Sequence, residues 1–199
     1  MKRELALKQL HEKCLHDCAC ILRKTATQGV PGDGNANAKI VFIGEAPGAK
    51  EDKEGRPFVG SAGKFLAEML GSIKMKREDI YITNIVKYRP QENRDPTAKE
   101  IADCAKWLEE EIKLIDPTLI VFLGRHSMNH FFPNEKISDA HGVVLIANHL
   151  GKLRHFLPLY HPAATLYNGS LREVLKKDFR KIPKILKMLD EKNICEKPI

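Results

Sequence analysis

The sequence predicts an α/β fold with a mainly parallel sheet covered by helices on both faces. Three observations carry this: short β-branched apolar runs, amphipathic stretches between them, and a glycine-rich turn directly after the first run. Strands that alternate with helices build parallel sheets, and strands buried on both faces read as continuous apolar runs.

Taken in order, Lys39-Ile-Val-Phe-Ile43 is the first strand, ending in the turn Gly44-Glu-Ala-Pro-Gly48. Residues 30–37, rich in Gly and Asn, form a loop leading into that strand rather than a domain linker. Phe65, Leu66, Met69, Leu70 and Ile73 then fall on one helical face. The second strand spans 80–84 and closes on Asn84. Thr97-Ala-Lys-Glu100 is a capping box, in which Thr97 covers an exposed N–H and Glu100 reaches back. Ile101, Cys104, Leu108, Ile112 and Ile115 continue that helix at the right spacing, and Pro117 stops it. Further strands are expected at 119–123, 143–147 and 156–160, and a last helix from 170 to 189, bent at Pro183.

With 199 residues the chain suits a single domain, read as a Cys-rich N-terminal helical part (1–37), a core (38–190) and a short tail (191–199). Hydrophobic residues make up 43% and charged ones 30%, which excludes a disordered chain. Lys and Arg number 33 against 26 Asp and Glu, a formal charge of +7, pointing either to a polyanionic partner or simply to a soluble surface. No apolar run reaches the ~20 residues that cross a bilayer, and the N-terminus lacks a signal peptide's apolar core, so a soluble, cytoplasmic protein without membrane contact is expected. The cysteines, Cys14, Cys18, Cys20, Cys104 and Cys195, are odd in number and therefore read as metal ligands or buried thiols, not as a disulfide framework.

Ligands of open α/β sheets bind beyond the carboxyl ends of the strands, so Gly44–Gly48, Asn84, Gly124 and His161 are the residues to inspect. Between 44 and 63, Gly44, Gly48, Gly55, Gly60 and Gly63 with Pro47 and Pro57 specify a backbone held close to something. The segment has neither a Walker A pattern nor a Gly-x-Gly-x-x-Gly fingerprint. A rigid strand-to-helix connection is the bland alternative, and it leaves Glu45 and Phe58 unexplained. Asn84 offers a paired acceptor and donor suited to a nucleobase edge, or else caps its strand. His161, in Tyr160-His161-Pro-Ala-Ala164, would alone be more often structural than catalytic. Together they put a carboxylate, an amide and an imidazole on one rim.

Gly-Glu-Ala-Pro-Gly, Gly-x-Pro-Phe-Val-Gly-x-Ala-Gly, Tyr-Ile-Thr-Asn-x-Val-Lys, Arg89-Pro90, Asn93-Arg94-x-Pro96 and His-Pro-Ala-Ala resemble, in this order, the family 4 uracil-DNA glycosylases, from about Cys20 to Phe179. The resemblance implies a three-layer α/β/α sandwich with a central, mainly parallel four-stranded sheet. It implies excision of uracil from DNA in base excision repair by a monomer whose partner is uracil-containing DNA; sliding-clamp binding is not legible in the sequence. A base must leave the stack before its glycosidic bond can be cut. By likeness, Phe58 stacks on the flipped uracil, Asn84 reads N3–H and O4, Glu51 crowds C5 against thymine's methyl, and Gly44 and Ala46 let the backbone approach the base. His161 would stabilise the uracil anion at O2, and Glu45 would steady the sugar cation or orient water. Leu166 would fill the gap left by the flipped base or pack beneath the last helix, and Arg89 and Arg94 would meet phosphates. Lys74, Lys76, Arg77 and the lysines of the last helix join them as phosphate contacts or form a solvated face.

The resemblance also implies a four-iron, four-sulfur cluster. Cys104 matches one ligand position, but Tyr88 stands where the family has a ligand cysteine, and Asp17 stands in the N-terminal Cys-x-x-Cys. A rearranged set of Cys14, Cys18, Cys20 and Cys104, or loss of the cluster, are the two accounts. The drift leaves two rivals: a glycosylase for hypoxanthine or xanthine, and a catalytically silent DNA-binding module.

Overall fold

The computed structural model describes residues 2–195; the side chains of 166–167 and 192–195 lie outside the described set. In chain order the elements are α1 (Lys2–Asp17), β1 (Asp33–Gly34), β2 (Ile40–Gly44), α2 (Ala49–Glu54), α3 (Ser61–Ser72), β3 (Tyr81–Asn84), α4 (Ala98–Ile115), β4 (Leu119–Leu123), α5 (Arg125–Phe131), α6 (Ile137–Ala140), β5 (Leu145–His149), β6 (Lys152–Leu159), α7 (Ala164–Tyr167), α8 (Gly169–Phe179) and α9 (Ile182–Cys195).

The strands form one sheet in the order β1-β3-β2-β4-β6-β5. β3, β2, β4 and β6 run parallel, whereas β1 and β5 pair antiparallel at the two edges. The expected four-stranded sheet is thus this parallel core, and the correction is a sheet of six strands. β1 is only two residues long inside the Gly/Asn loop, too short to leave an apolar signature. β5 begins two residues later than expected because Gly142 turns with φ 71 and its N–H donates to Pro158 O at 2.8 Å.

Alternation along the buried strands sends side chains to two cores. Val41, Ile43, Tyr81, Ile120 and Phe122 pack with Leu7 of α1 and Trp107, Leu108 and Ile112 of α4. Ile40, Phe42, Ile82, Val121 and Leu157 pack with Phe65, Leu66 and Met69 of α3 and Leu175 and Phe179 of α8. Two helical layers around one sheet make the α/β/α sandwich. The capping box of α4 forms as expected: Thr97 Oγ1 accepts from Glu100 N, and Glu100 Oε2 accepts from Thr97 N at 2.8 Å.

The last helix departs from expectation. It is not one bent helix but α8 and α9, broken after Phe179, with Pro183 the second residue of α9. A proline in a helix's first turn removes an N–H that has no intrahelical partner there, so it starts a helix instead of bending one.

Candidate active site

β2, β3, β4 and β6 all end on the same side, so Gly44, Asn84, Gly124 and, two residues past β6, His161 share one rim. A cavity of about 310 Å³ opens there, and Glu45, Ala46, Glu51, Phe58, Asn84 and His161 all line it, with Asn93, Arg94 and Ala163 at its edge. The structure therefore brings the three chain-distant groups together. Gly44 lies tight against two of these lining residues: a Cβ there would overlap Asn84 Oδ1 and lie 2.7 Å from Phe58 Cζ. That close approach explains the glycine better than any turn geometry.

Asn84 is 2% exposed. Its Oδ1 is buried and has no hydrogen-bond partner among the described residues, while its backbone carbonyl accepts from Lys87 Nζ at 3.0 Å. An orphaned buried amide oxygen on a residue that lines a cavity costs about 1–3 kcal/mol until it gains a donor. Lys87 itself is fully buried against Glu111 at 2.8 Å.

Phe58 forms one wall and is held under strain. Its φ is 55, the left-handed region that non-glycine residues seldom adopt. Three contacts fix it. Glu51 Oε1 accepts from Val59 N at 2.9 Å and Gly60 N at 2.7 Å. Arg77 donates to the carbonyls of Pro57 and Phe58, and pairs with Asp33 at 3.1 Å. Gly63 lets the first turn of α3 touch the Phe58 carbonyl, which a Cβ would overlap. The Phe58 ring then lies 5.8 Å from the His161 ring, tilted by 39°. Arg77, one of the expected phosphate contacts, spends its guanidinium on this clamp.

His161 Nδ1 accepts from Ala163 N at 3.1 Å, so the neutral ring carries its proton on Nε2. Burial pushes its pKa down to about 4; Glu51 opposes this and His126 adds to it. The imidazole is a neutral donor at physiological pH. Burial likewise raises the pKa of Glu45, with Asp95 pushing the same way and His126 and Arg125 opposing. His126 Nε2 is 3.7 Å from Glu45 Oε2 and 3.2 Å from Asp95 Oδ2. Sequence reasoning singled out neither Asp95 nor His126. The one available signal was Gly124, at the carboxyl end of β4, two residues before His126.

Of the expected DNA contacts, Arg94 borders the cavity, but its guanidinium grips Glu100 at 2.6 Å and 2.9 Å. That pair holds Glu100 down to about 2. Arg89 lines a neighbouring hollow and donates to Asn93 Oδ1 at 2.8 Å. Leu166 lies on α7, and its side chain falls outside the described residues.

Away from the cavity, Cys14 on α1, Cys18 and Cys20 just after it, and Cys104 on α4 are each at most 2% exposed. Cys18 and Cys104 Sγ are 3.9 Å apart, and Cys20 Sγ lies 3.8 Å from Glu100 O. Hydrogen bonds from Cys104 and Cys14 pull the Cys18 thiol down, while Cys14 and Cys104 are pushed up. Tyr88 adjoins these sulfurs: burial, then Cys18 and Cys14, push its phenol up to about 12. Its hydroxyl turns to Leu15 O at 3.5 Å.

The family model of the uracil DNA glycosylase superfamily matches residues 31–187. A type-4 uracil-DNA glycosylase of Archaeoglobus fulgidus is 48% identical over 82% of this chain and 84% of its own length. Those of Saccharolobus solfataricus and Thermotoga maritima are 46% and 39% identical, covering 84% and 93% of this chain and 80% and 97% of their own lengths. The chain belongs to the uracil DNA glycosylase superfamily, among its type-4 members.

Proposed function

We propose that the cavity at the carboxyl ends of β2, β3 and β6 is where this uracil-excising DNA repair glycosylase holds an everted base and hydrolyses its N-glycosidic bond, leaving an abasic site. One observation carries the assignment: the buried, unpartnered Oδ1 of Asn84. It is an acceptor awaiting a donor, and uracil N3–H is one; the amide NH₂ then donates to O4. Cytosine presents the opposite polarity at both atoms and would leave buried groups unpaired.

Phe58 supplies the apolar face for the flipped ring. Glu51 fills the space beside C5 while its other oxygen ties down the Phe58 loop. As the bond to the sugar breaks, negative charge grows on uracil and positive charge on the sugar. The neutral His161 donates from Nε2 to uracil O2, a fixed dipole that costs little reorganisation. Glu45, ionised, faces the sugar cation and orients the water that adds its hydroxyl at C1′. Arg89, half-buried in the hollow next to the cavity, and Leu166 are assigned to the DNA, and the chain works as a monomer because its own residues complete the cavity.

The four buried cysteines fit a soft-metal site: they converge from α1, the segment just after it and α4, and the indole N–H of Trp107 is buried near them without an oxygen or nitrogen partner among the described residues. Cys14, Cys18, Cys20 and Cys104 would hold a four-iron, four-sulfur cluster, with Tyr88 packing beside them rather than ligating. Iron analysis and an absorbance band at roughly 400 nm, lost in Cys20→Ser, test this.

Strand cleavage of oligonucleotides carrying uracil, hypoxanthine or xanthine tests the activity. Release of uracil is expected. Release of hypoxanthine without uracil overturns the Asn84 assignment, and release of no base favours a silent DNA-binding module.

A further inference from the structure

Glu45 belongs to a cluster that neither the resemblance nor the comparisons explain. One ligand-type atom each of Glu45, Asp95 and His126 lies within 4.8 Å of the others. Arg125 also reaches in, its Nε 3.1 Å from His126 Nε2 and its terminal nitrogen 3.5 Å from Asp95 Oδ2. A guanidinium already stands against two of the three groups, so the cluster is charge-compensated by the protein itself and is not a vacant cation site.

These residues come from three separate places: the turn after β2, the loop before α4, and the first turn of α5. Glu45 and His161 are shared between the base cavity and a second hollow of about 270 Å³, which His126 and Arg125 line from the other side. Glu45 is thus a partition, with the base on one side and His126 on the other. A neutral His126 accepts at Nε2 from Arg125. A protonated one donates to Asp95 and places its charge 3.7 Å from the Glu45 carboxylate.

We propose that His126 is a positioning residue for Glu45: held between Asp95 and Arg125, its imidazole favours the charged form of the Glu45 carboxylate and keeps it turned into the cavity. The proposal rests on the reading of Glu45 given above. The other charged groups around the cavity are Glu51 on α2, Arg94 before α4 and His161 after β6. Glu51 is spent on the Phe58 loop and Arg94 on Glu100. His161 is a neutral imidazole above about pH 4. The groups left to set the charge on Glu45 are Asp95, Arg125 and His126, which agrees with the forces acting on its carboxyl.

Single-turnover excision from a uracil-containing oligonucleotide, followed from pH 4.5 to 8, decides the matter. In the parent, the acidic limb follows protonation of Glu45. His126→Ala removes the imidazole that opposes the upward shift of the Glu45 carboxyl, so the limb moves up by roughly half to one pH unit, and the rate on that limb falls about 3- to 10-fold. Asp95→Asn removes a like charge beside Glu45 and keeps a hydrogen-bonding side chain, so the limb moves down. A purely structural role would lower both rates without moving either limb, and would not give shifts of opposite sign. Normalised profiles of both variants that superimpose on the parent's overturn the proposal. Glu45→Gln separates the two levels. If it is impaired while the limbs coincide, only the positioning role of His126 fails. If it retains the parent rate, the reading of Glu45 fails and this proposal falls with it.

Discussion

In the reading proposed here Asn84 selects the base, because a fixed amide has one polarity to offer and its oxygen accepts from nothing among the described residues. Asn84→Asp keeps the shape and removes the donor to O4. We expect it to cut uracil excision by about tenfold or more, the effect of one unpaired buried group, and to narrow the preference for uracil over cytosine. Paired rates on the two oligonucleotides measure this, and unchanged selectivity would contradict the hydrogen bonds. His161 makes a second prediction, about stability. Its folded pKa, about 4, lies below the 6.5 of an ordinary imidazole, so the unfolded chain binds the extra proton first on acidification. Stability therefore falls as pH drops from about 6.5 towards 4 and, for this group, levels off below. His161→Asn should flatten that part of the curve in denaturant titrations at pH 7 and pH 5. Both residues were legible in the sequence because they end apolar strands. Asp95 and His126 were not, since a carboxylate in a loop and an imidazole after Gly-Arg announce nothing until the fold sets them beside Glu45.

Among the elements, the strands were the easiest to read: runs such as 119–123 are buried on both faces and carry no polar interruption. The exposed edge β5, where intermediate and exposed residues alternate, was displaced by two residues, and β1 was invisible. Pro183 misled for a physical reason, since proline both bends helices and begins them, and only the break after Phe179 decides between the two. The Phe58 loop shows the same limit. Its glycines signalled unusual backbone, but not that Glu51 and Arg77 are the groups that hold it. Arg77→Gln should therefore behave as an active-site lesion rather than as a lost phosphate contact. Releasing a strained wall by about an ångström can cost up to about 100-fold in rate. We expect a loss of at least tenfold in single-turnover excision that raised ionic strength neither mimics nor masks. A phosphate contact would instead weaken DNA binding with a reduced salt dependence.

At the scale of the whole molecule, one buried polar network ties the layers to the site. Lys87 Nζ donates to Glu111 Oε2 at 2.8 Å, to Thr83 Oγ1 at 2.5 Å and to the Asn84 carbonyl at 3.0 Å. Glu111 Oε1 accepts from Gly32 N at 3.1 Å and faces His11 of α1 at 3.6 Å. Burial pushes the Glu111 carboxyl up, but Lys87 and His11 outweigh it, and the group stays ionised. This network joins α1, β3 and α4 across the face that also carries the cysteines. The sequence hid it: Lys87 and Glu111 are separated by 24 positions, and each alone looks like a surface charge. A buried pair contributes little net stability against a well-packed apolar pair, yet losing one partner strands the other's charge. Lys87→Met should thus lower stability by about 3–5 kcal/mol, a Tm drop on the order of 10 °C in a chain of this size. Lys87→Met combined with Glu111→Leu should recover most of it, because no charge is then left unpaired. Excision should not recover with stability, since the double variant still lacks the donor that fixes the Asn84 carbonyl. A double variant as unstable as Lys87→Met would show that the ammonium's bonds to Thr83 and Asn84, not the charge pair, hold this face together.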